Sequence, residues 1–60
     1  MEVFIMGKKL KVIRQQKGLM QRYVSQKLGI HNSYLCKIEN GTVRPTAEII
    51  NKLYELYEIA

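Results

Sequence analysis

Sixty residues can form one small domain, near the lower limit at which a single hydrophobic core supports a fold. Hydrophobic types make up 47% of the chain and charged types 25%, a globular balance rather than a disordered one. Ten Lys and Arg against five acidic residues, all Glu, leave a net charge of +5. A lone Cys excludes an internal disulfide, and one Cys with one His cannot furnish a four-ligand zinc site.

Met1 to Met6 contains the longest apolar run, Val3-Phe4-Ile5-Met6, far short of the ~20 residues that a membrane span requires. It is also too short for a signal-peptide core and follows Glu2 rather than basic residues, so a soluble cytoplasmic protein with no membrane partner is expected. Val3-Phe4-Ile5 can be a short strand, a strap over the core, or a backward extension of the first helix. Gly7 argues against the extension, so residues 1–6 are set apart as an apolar arm. Lys8 to Lys17 reads as an amphipathic helix with Leu10 and Ile13 at i, i+3 and a stop at Gly18. Gln21 to Leu28 follows, with Val24 and Leu28 at i, i+4 and Gly29 just beyond. His31-Asn32-Ser33 supplies polar residues that open helices, and a third helix, Asn32 to Glu39, buries Leu35 and Ile38 before Asn40-Gly41. Pro45 biases Arg44 away from helix, and Thr46 is placed to cap a fourth helix with Glu48 in its first turn. Ile49, Ile50, Leu53, Leu56 and Tyr57 form the apolar stripe of that helix. The expectation is all-α, four helices and no strand.

Charge is concentrated in the middle. Residues 7–44 carry nine basic residues against Glu39 alone, a net of +8, whereas residues 45–60 set Lys52 against three Glu, a net of −2. A field of that sign attracts polyanions, although a solvated Lys-rich surface has the same composition. Within Gln21 to Asn40, two short helices that cross steeply must touch near a small residue, which Ser25 provides, and the tight connection suits Gly29. With Leu35 and Ile38 turned inward, Asn32, Ser33, Cys36 and Lys37 share the outward face of the third helix. A polar, cationic helix face of this kind is what a major groove admits.

From Gly7 to about Tyr57 the chain resembles the Cro and phage-repressor type of helix-turn-helix, the XRE family. The residues that carry the resemblance are Lys9-Leu10-Lys11-Val12-Ile13-Arg14, Lys17-Gly18-Leu19-Met20-Gln21, Leu28-Gly29-Ile30, Ser33 to Gly41 and Arg44-Pro45-Thr46. The resemblance implies a small four-helix, lambda-repressor-like domain over residues 7–60, with the helix-turn-helix unit at 21–40 and most of the usual fifth helix lacking. It assigns base reading to Asn32, Ser33 and Lys37, and contacts to the DNA backbone to Gln21, Tyr34, Asn40 and Arg44. Arg14 resembles the arginine that braces the unit by pairing with Glu39. Met20 stands where the family has a capping residue, a loss of ~1 kcal/mol for the second helix. Without a fifth helix, Tyr54, Leu56 and Tyr57 are expected to lack their usual cover, either met by the N-terminal arm or, as favoured here, by a second subunit in a homodimer.

The implied function is a sequence-specific double-stranded DNA-binding transcriptional regulator that represses. The alternative is a protein-interaction module, antitoxin-like or an antirepressor subunit, using its exposed C-terminal helix on a protein partner. An enzyme is not expected, because the chain has no Asp for a Ser/His/Asp triad and no Gly-rich phosphate loop. No cofactor or metal is called for. His31 reads as a helix-opening surface residue, and Tyr23, Tyr34, Tyr54 and Tyr57 fall on different helices rather than forming a stacking platform.

Overall fold

A computed structural model describes residues 2–59 as four helices: α1 (Glu2–Gln16), α2 (Gln21–Leu28), α3 (Asn32–Glu39) and α4 (Ala47–Tyr57). There is no strand among the described residues, and the molecule measures 25 × 23 × 19 Å. Helix α3 packs on both α1 and α2, and α2 packs on α4. The core between them consists of Leu10, Val24, Leu28, Leu35, Ile38, Leu53 and Tyr57. Leu35 and Ile38 are each 1% exposed, which fixes the rotation of α3 and so decides which of its residues face outward.

Two turn devices set the angle between α2 and α3. Gly29 takes φ 73° as the left-handed C-cap of α2, and its N–H reaches back to the carbonyls of Ser25 and Gln26. Ser25, 3% exposed, is small enough for the two helices to meet, and its hydroxyl is satisfied by the Arg22 carbonyl at 2.9 Å. At α4, Thr46 Oγ1 accepts the Ile49 N–H at 3.2 Å, a side-chain cap of the expected kind.

The N-terminal segment departs from the sequence expectation. Glu2 to Met6 is not a separate arm; it is the beginning of α1, which runs through Gly7 without a break. The reason is packing rather than propensity. A Cβ on Gly7 would collide with the Ile38 carbonyl oxygen and lie 3.1 Å from the Glu39 carbonyl oxygen, so α1 can cross the end of α3 this closely only at a glycine. The ~1 kcal/mol that a helical glycine costs is offset by that contact. One turn earlier, Phe4 rests on Gly41, where an added Cβ would stand 2.5 Å from the Phe4 Cα.

Candidate nucleic-acid interface

Inside the junction of α1, α2 and α3 lies a polar cluster built around Glu39, itself 1% exposed. Arg14 Nε donates to Glu39 Oε2 at 2.7 Å and Arg14 Nη2 donates to Oε1 at 3.2 Å, the two-pronged geometry in which guanidinium and carboxylate match best. Arg14 Nη1 donates to the Leu19 carbonyl at 2.8 Å, tying down the α1–α2 turn. Gln21 Nε2 donates to Glu39 Oε1 at 3.0 Å. One carboxylate at the end of α3 therefore fixes α1, the turn and the start of α2 together. Hydrogen bonding to Glu39 raises the pKa of Arg14 above arginine's ordinary value, against the lowering effect of burial.

The Tyr57 ring, 1% exposed, is buried within the electrostatic reach of Glu39 and Arg14. Its hydroxyl has no hydrogen-bond partner. Burial, reinforced by the Glu39 charge, pushes its pKa up to about 12, with Arg14 acting in the opposite sense.

Outside the cluster, α3 presents Asn32, Ser33 and Lys37, all exposed. Cys36 on the same side and Tyr34 beside it are half-buried, and Tyr34 packs in part against the core. His31 Nδ1 lies 3.1 Å from Ser33 Oγ, so the imidazole and the hydroxyl share a hydrogen at the mouth of α3. Asn40 is exposed, with its amide 3.6 Å from Cys36 Sγ. Neither Met20 before α2 nor His31 before α3 makes a side-chain cap, which leaves the first N–H groups of both helices without an internal partner. At α4, by contrast, Thr46 supplies the side-chain cap that α2 and α3 lack.

The remaining expected site residues sit away from that row. Gln21 turns its amide nitrogen inward to Glu39, so it belongs to the brace as well as to the start of α2. Arg44 is exposed but lies along the groove between α1 and α4, beside Met6 and Tyr54, rather than in the row formed by Asn32, Ser33 and Lys37. Tyr57 is a core residue and is not available to a second subunit, because its own chain already encloses it. Leu56 is half-buried on the α2 side of α4, near Leu28 and Lys52, whereas Tyr54, 40% exposed, faces α1. Tyr54 and Leu56 therefore cannot belong to one contact face.

The sequence marks Gly7 only as a helix breaker, not as a crossing point of α1 and α3, and gives the Leu19 carbonyl no role. The available signal was the spacing of Val3, Gly7, Leu10 and Arg14, which places all four on one side of a continuous helix. No group of three His, Cys, Asp or Glu able to hold a metal occurs among the described residues, and none of their helices is long and apolar enough to cross a membrane.

The family model described as Helix-turn-helix matches residues 10–59. The chain belongs to that family, and to its XRE type. Over 54 residues it is 37% identical to the HTH-type transcriptional regulator PuuR of Escherichia coli (strain K12), and equally to the protein of that name in Shigella flexneri. The match covers 90% of this chain but only 29% of each relative, so the chain spans less than a third of the proteins it resembles. The resemblance takes in all of α2, α3 and α4 and the half of α1 that contains Arg14.

Proposed function

We propose that this chain is a sequence-specific double-stranded DNA-binding regulator of transcription that acts as a repressor, with α3 entering the major groove. The observation that carries the reading is the outward row of Asn32, Ser33 and Lys37 on a helix whose rotation is fixed from behind by Leu35, Ile38 and the Glu39 cluster. A side chain can discriminate bases only if it reaches the groove in one geometry, and the Arg14–Glu39–Gln21 network supplies that rigidity.

Asn32 can bond to adenine through both ends of its amide, Lys37 can donate to guanine O6 and N7, and Ser33 can serve either base. The uncapped N–H groups at the starts of α2 and α3 suit phosphate oxygens, with the positive ends of the helix dipoles behind them. Asn40 and Arg44 flank α3 as exposed donors toward the backbone, and the half-buried Tyr34 supports a thymine methyl or a sugar. The +8 carried by residues 7–44 drives association through the release of condensed counterions. Two copies reading successive half-sites would set their α3 helices one turn apart, ~34 Å.

That the relatives are transcriptional regulators of the helix-turn-helix type agrees with this reading. The test is selection of duplexes from a random pool, followed by titration of the winner against scrambled duplex. Preference for the selected sequence by ~10³ or more, with binding that falls steeply with salt, is the expected result. Equal affinity for both duplexes would overturn it.

A further inference from the structure

The turn into α3 joins a titratable side chain to one residue of the outward row. His31 is the N-cap residue of α3, with extended backbone (φ −73°, ψ 145°), and its carbonyl accepts the N–H groups of Tyr34 at 3.0 Å and Leu35 at 3.2 Å. Leu35 belongs to the core, so the backbone of His31 is anchored. The imidazole makes no cap of its own; its Nδ1 stands 3.1 Å from Ser33 Oγ instead. Both residues are exposed, as are Asn32 and Lys37 of the same row.

We propose that His31 is a positioning residue for base recognition, whose protonation state sets whether Ser33 offers a hydrogen or a lone pair to the DNA. The inference rests on the DNA-binding reading of α3. A neutral imidazole has one ring nitrogen that donates and one that accepts. Nδ1 can then take the Ser33 hydrogen or give one to Oγ, and the hydroxyl is free to answer a base of either kind. An imidazolium donates from both nitrogens. Its Nδ1–H occupies a lone pair of Oγ, and the Ser33 hydrogen, barred from pointing at Nδ1, is turned outward. Ser33 becomes chiefly a donor.

The major groove distinguishes these two states. Guanine presents N7 and O6 and thymine presents O4, all acceptors; cytosine presents the N4 donor alone, and adenine presents one of each. A Ser33 held as a donor therefore favours guanine or thymine and loses its bond to cytosine.

The surroundings leave the charge of His31 to be balanced by the DNA. The titratable side chains of the two helices that meet at His31 are Arg22, Tyr23 and Lys27 on α2 and Tyr34, Cys36 and Lys37 on α3, with Glu39 taken up by Arg14. Those helices contain no other carboxylate, so the counter-charge is phosphate. Attraction to phosphate strengthens binding to every sequence alike, whereas the orientation of one hydroxyl acts at one base. The two effects separate in a ratio of affinities, where the uniform part cancels. Histidine is the side chain whose charge ordinarily changes between pH ~5 and ~8, and His31 is the one His in the chain.

The test is competition between the duplex won by selection and its single-base-pair variants, at pH ~5.5 and ~7.5 and one salt concentration. The base that Ser33 touches is the position whose preference Ser33→Ala erases. There, affinity for guanine over cytosine should rise about threefold or more on acidification, the worth of one hydrogen bond, while preferences elsewhere stay constant. His31→Ala, at an exposed position, should keep the fold and the selectivity but make that ratio independent of pH. A wild-type ratio that ignores pH overturns the inference. So does a pH dependence that survives His31→Ala, or a His31→Ala variant that shifts the ratio equally at both pH values, the mark of a purely structural role. The absence of any base position sensitive to Ser33→Ala overturns it too. Each of these results leaves selective binding intact. If the chain binds no duplex selectively at either pH, the DNA-binding reading itself fails and the inference falls with it.

Discussion

Replacing Glu39 by Gln keeps the size and shape of the side chain and removes its charge. Arg14 then remains with its side chain only 11% exposed and with neutral acceptors alone, the Leu19 carbonyl among them. Breaking a buried pair from one side costs about 3–5 kcal/mol, because the surviving charge has neither water nor a counterion. The substituted amide would still offer an oxygen to Arg14, so the lower end of that range, about 3 kcal/mol, is expected. A 60-residue domain holds roughly 3–9 kcal/mol in all, and the substitution should consume a large share of it. The companion change, Arg14→Met, strands a carboxylate at 1% exposure and should cost at least as much. Replacing both, as Arg14→Met with Glu39→Leu, removes the need for pairing and should return stability to within about 1–2 kcal/mol of wild type. Urea unfolding followed by far-ultraviolet circular dichroism gives the three free energies and, from them, the coupling between the residues. A cost below about 1 kcal/mol for Glu39→Gln would place the pair with exposed ion pairs and refute its role as a brace. A double variant as unstable as the sum of the singles would refute it equally.

Tyr57→Phe removes a buried hydroxyl that has no partner, so stability near neutral pH should be unchanged or rise by up to about 1 kcal/mol. Because the folded pKa of Tyr57 lies above the unfolded value, its ionisation costs no stability below pH ~10, and stability falls as pH climbs from there toward about 12. Urea melts across that window should show wild type losing up to about 3 kcal/mol relative to Tyr57→Phe, and parallel curves would contradict the burial of the hydroxyl. Gly7→Ala, which would strengthen an isolated helix by ~1 kcal/mol, should here destabilise, since its methyl group meets backbone carbonyls that cannot swing aside. A thermal melt at or above that of wild type would show that α1 does not cross α3 where described. Met20→Ser supplies the missing cap of α2 and should add about 1 kcal/mol of stability in the absence of DNA; no gain would mean that the N-terminus of α2 is already satisfied.

Helices α2 and α3 were legible to the residue because local chemistry ends them: Gly29 stops one, His31-Asn32 opens the next and Asn40-Gly41 closes it. Thr46 marked the fourth in the same way. The start of α1 was hidden, because Gly7 read as a helix breaker when judged by propensity. Only the carbonyl oxygens of Ile38 and Glu39, more than thirty residues away in the chain, show why a glycine stands there. Tyr57 misled for a related reason. Its place in the stripe with Leu53 announced an apolar contact, but which part of that stripe the chain itself covers depends on how α2 and the Arg14–Glu39 cluster close over it. The outward face of α3 followed from the inward pair Leu35 and Ile38, whereas the inward turn of the Gln21 amide had no signal in spacing at all.

The most direct test of α3 as a reading element is base-by-base preference, measured by competition between the selected duplex and its single-base-pair variants at one fixed salt concentration. Asn32→Ala and Lys37→Ala should each erase ~1–3 kcal/mol of discrimination at one base position while leaving the other positions intact. Arg44→Ala, by contrast, should weaken every duplex alike and reduce the salt dependence. Identical, sequence-independent losses from all three substitutions would mean that α3 does not read bases.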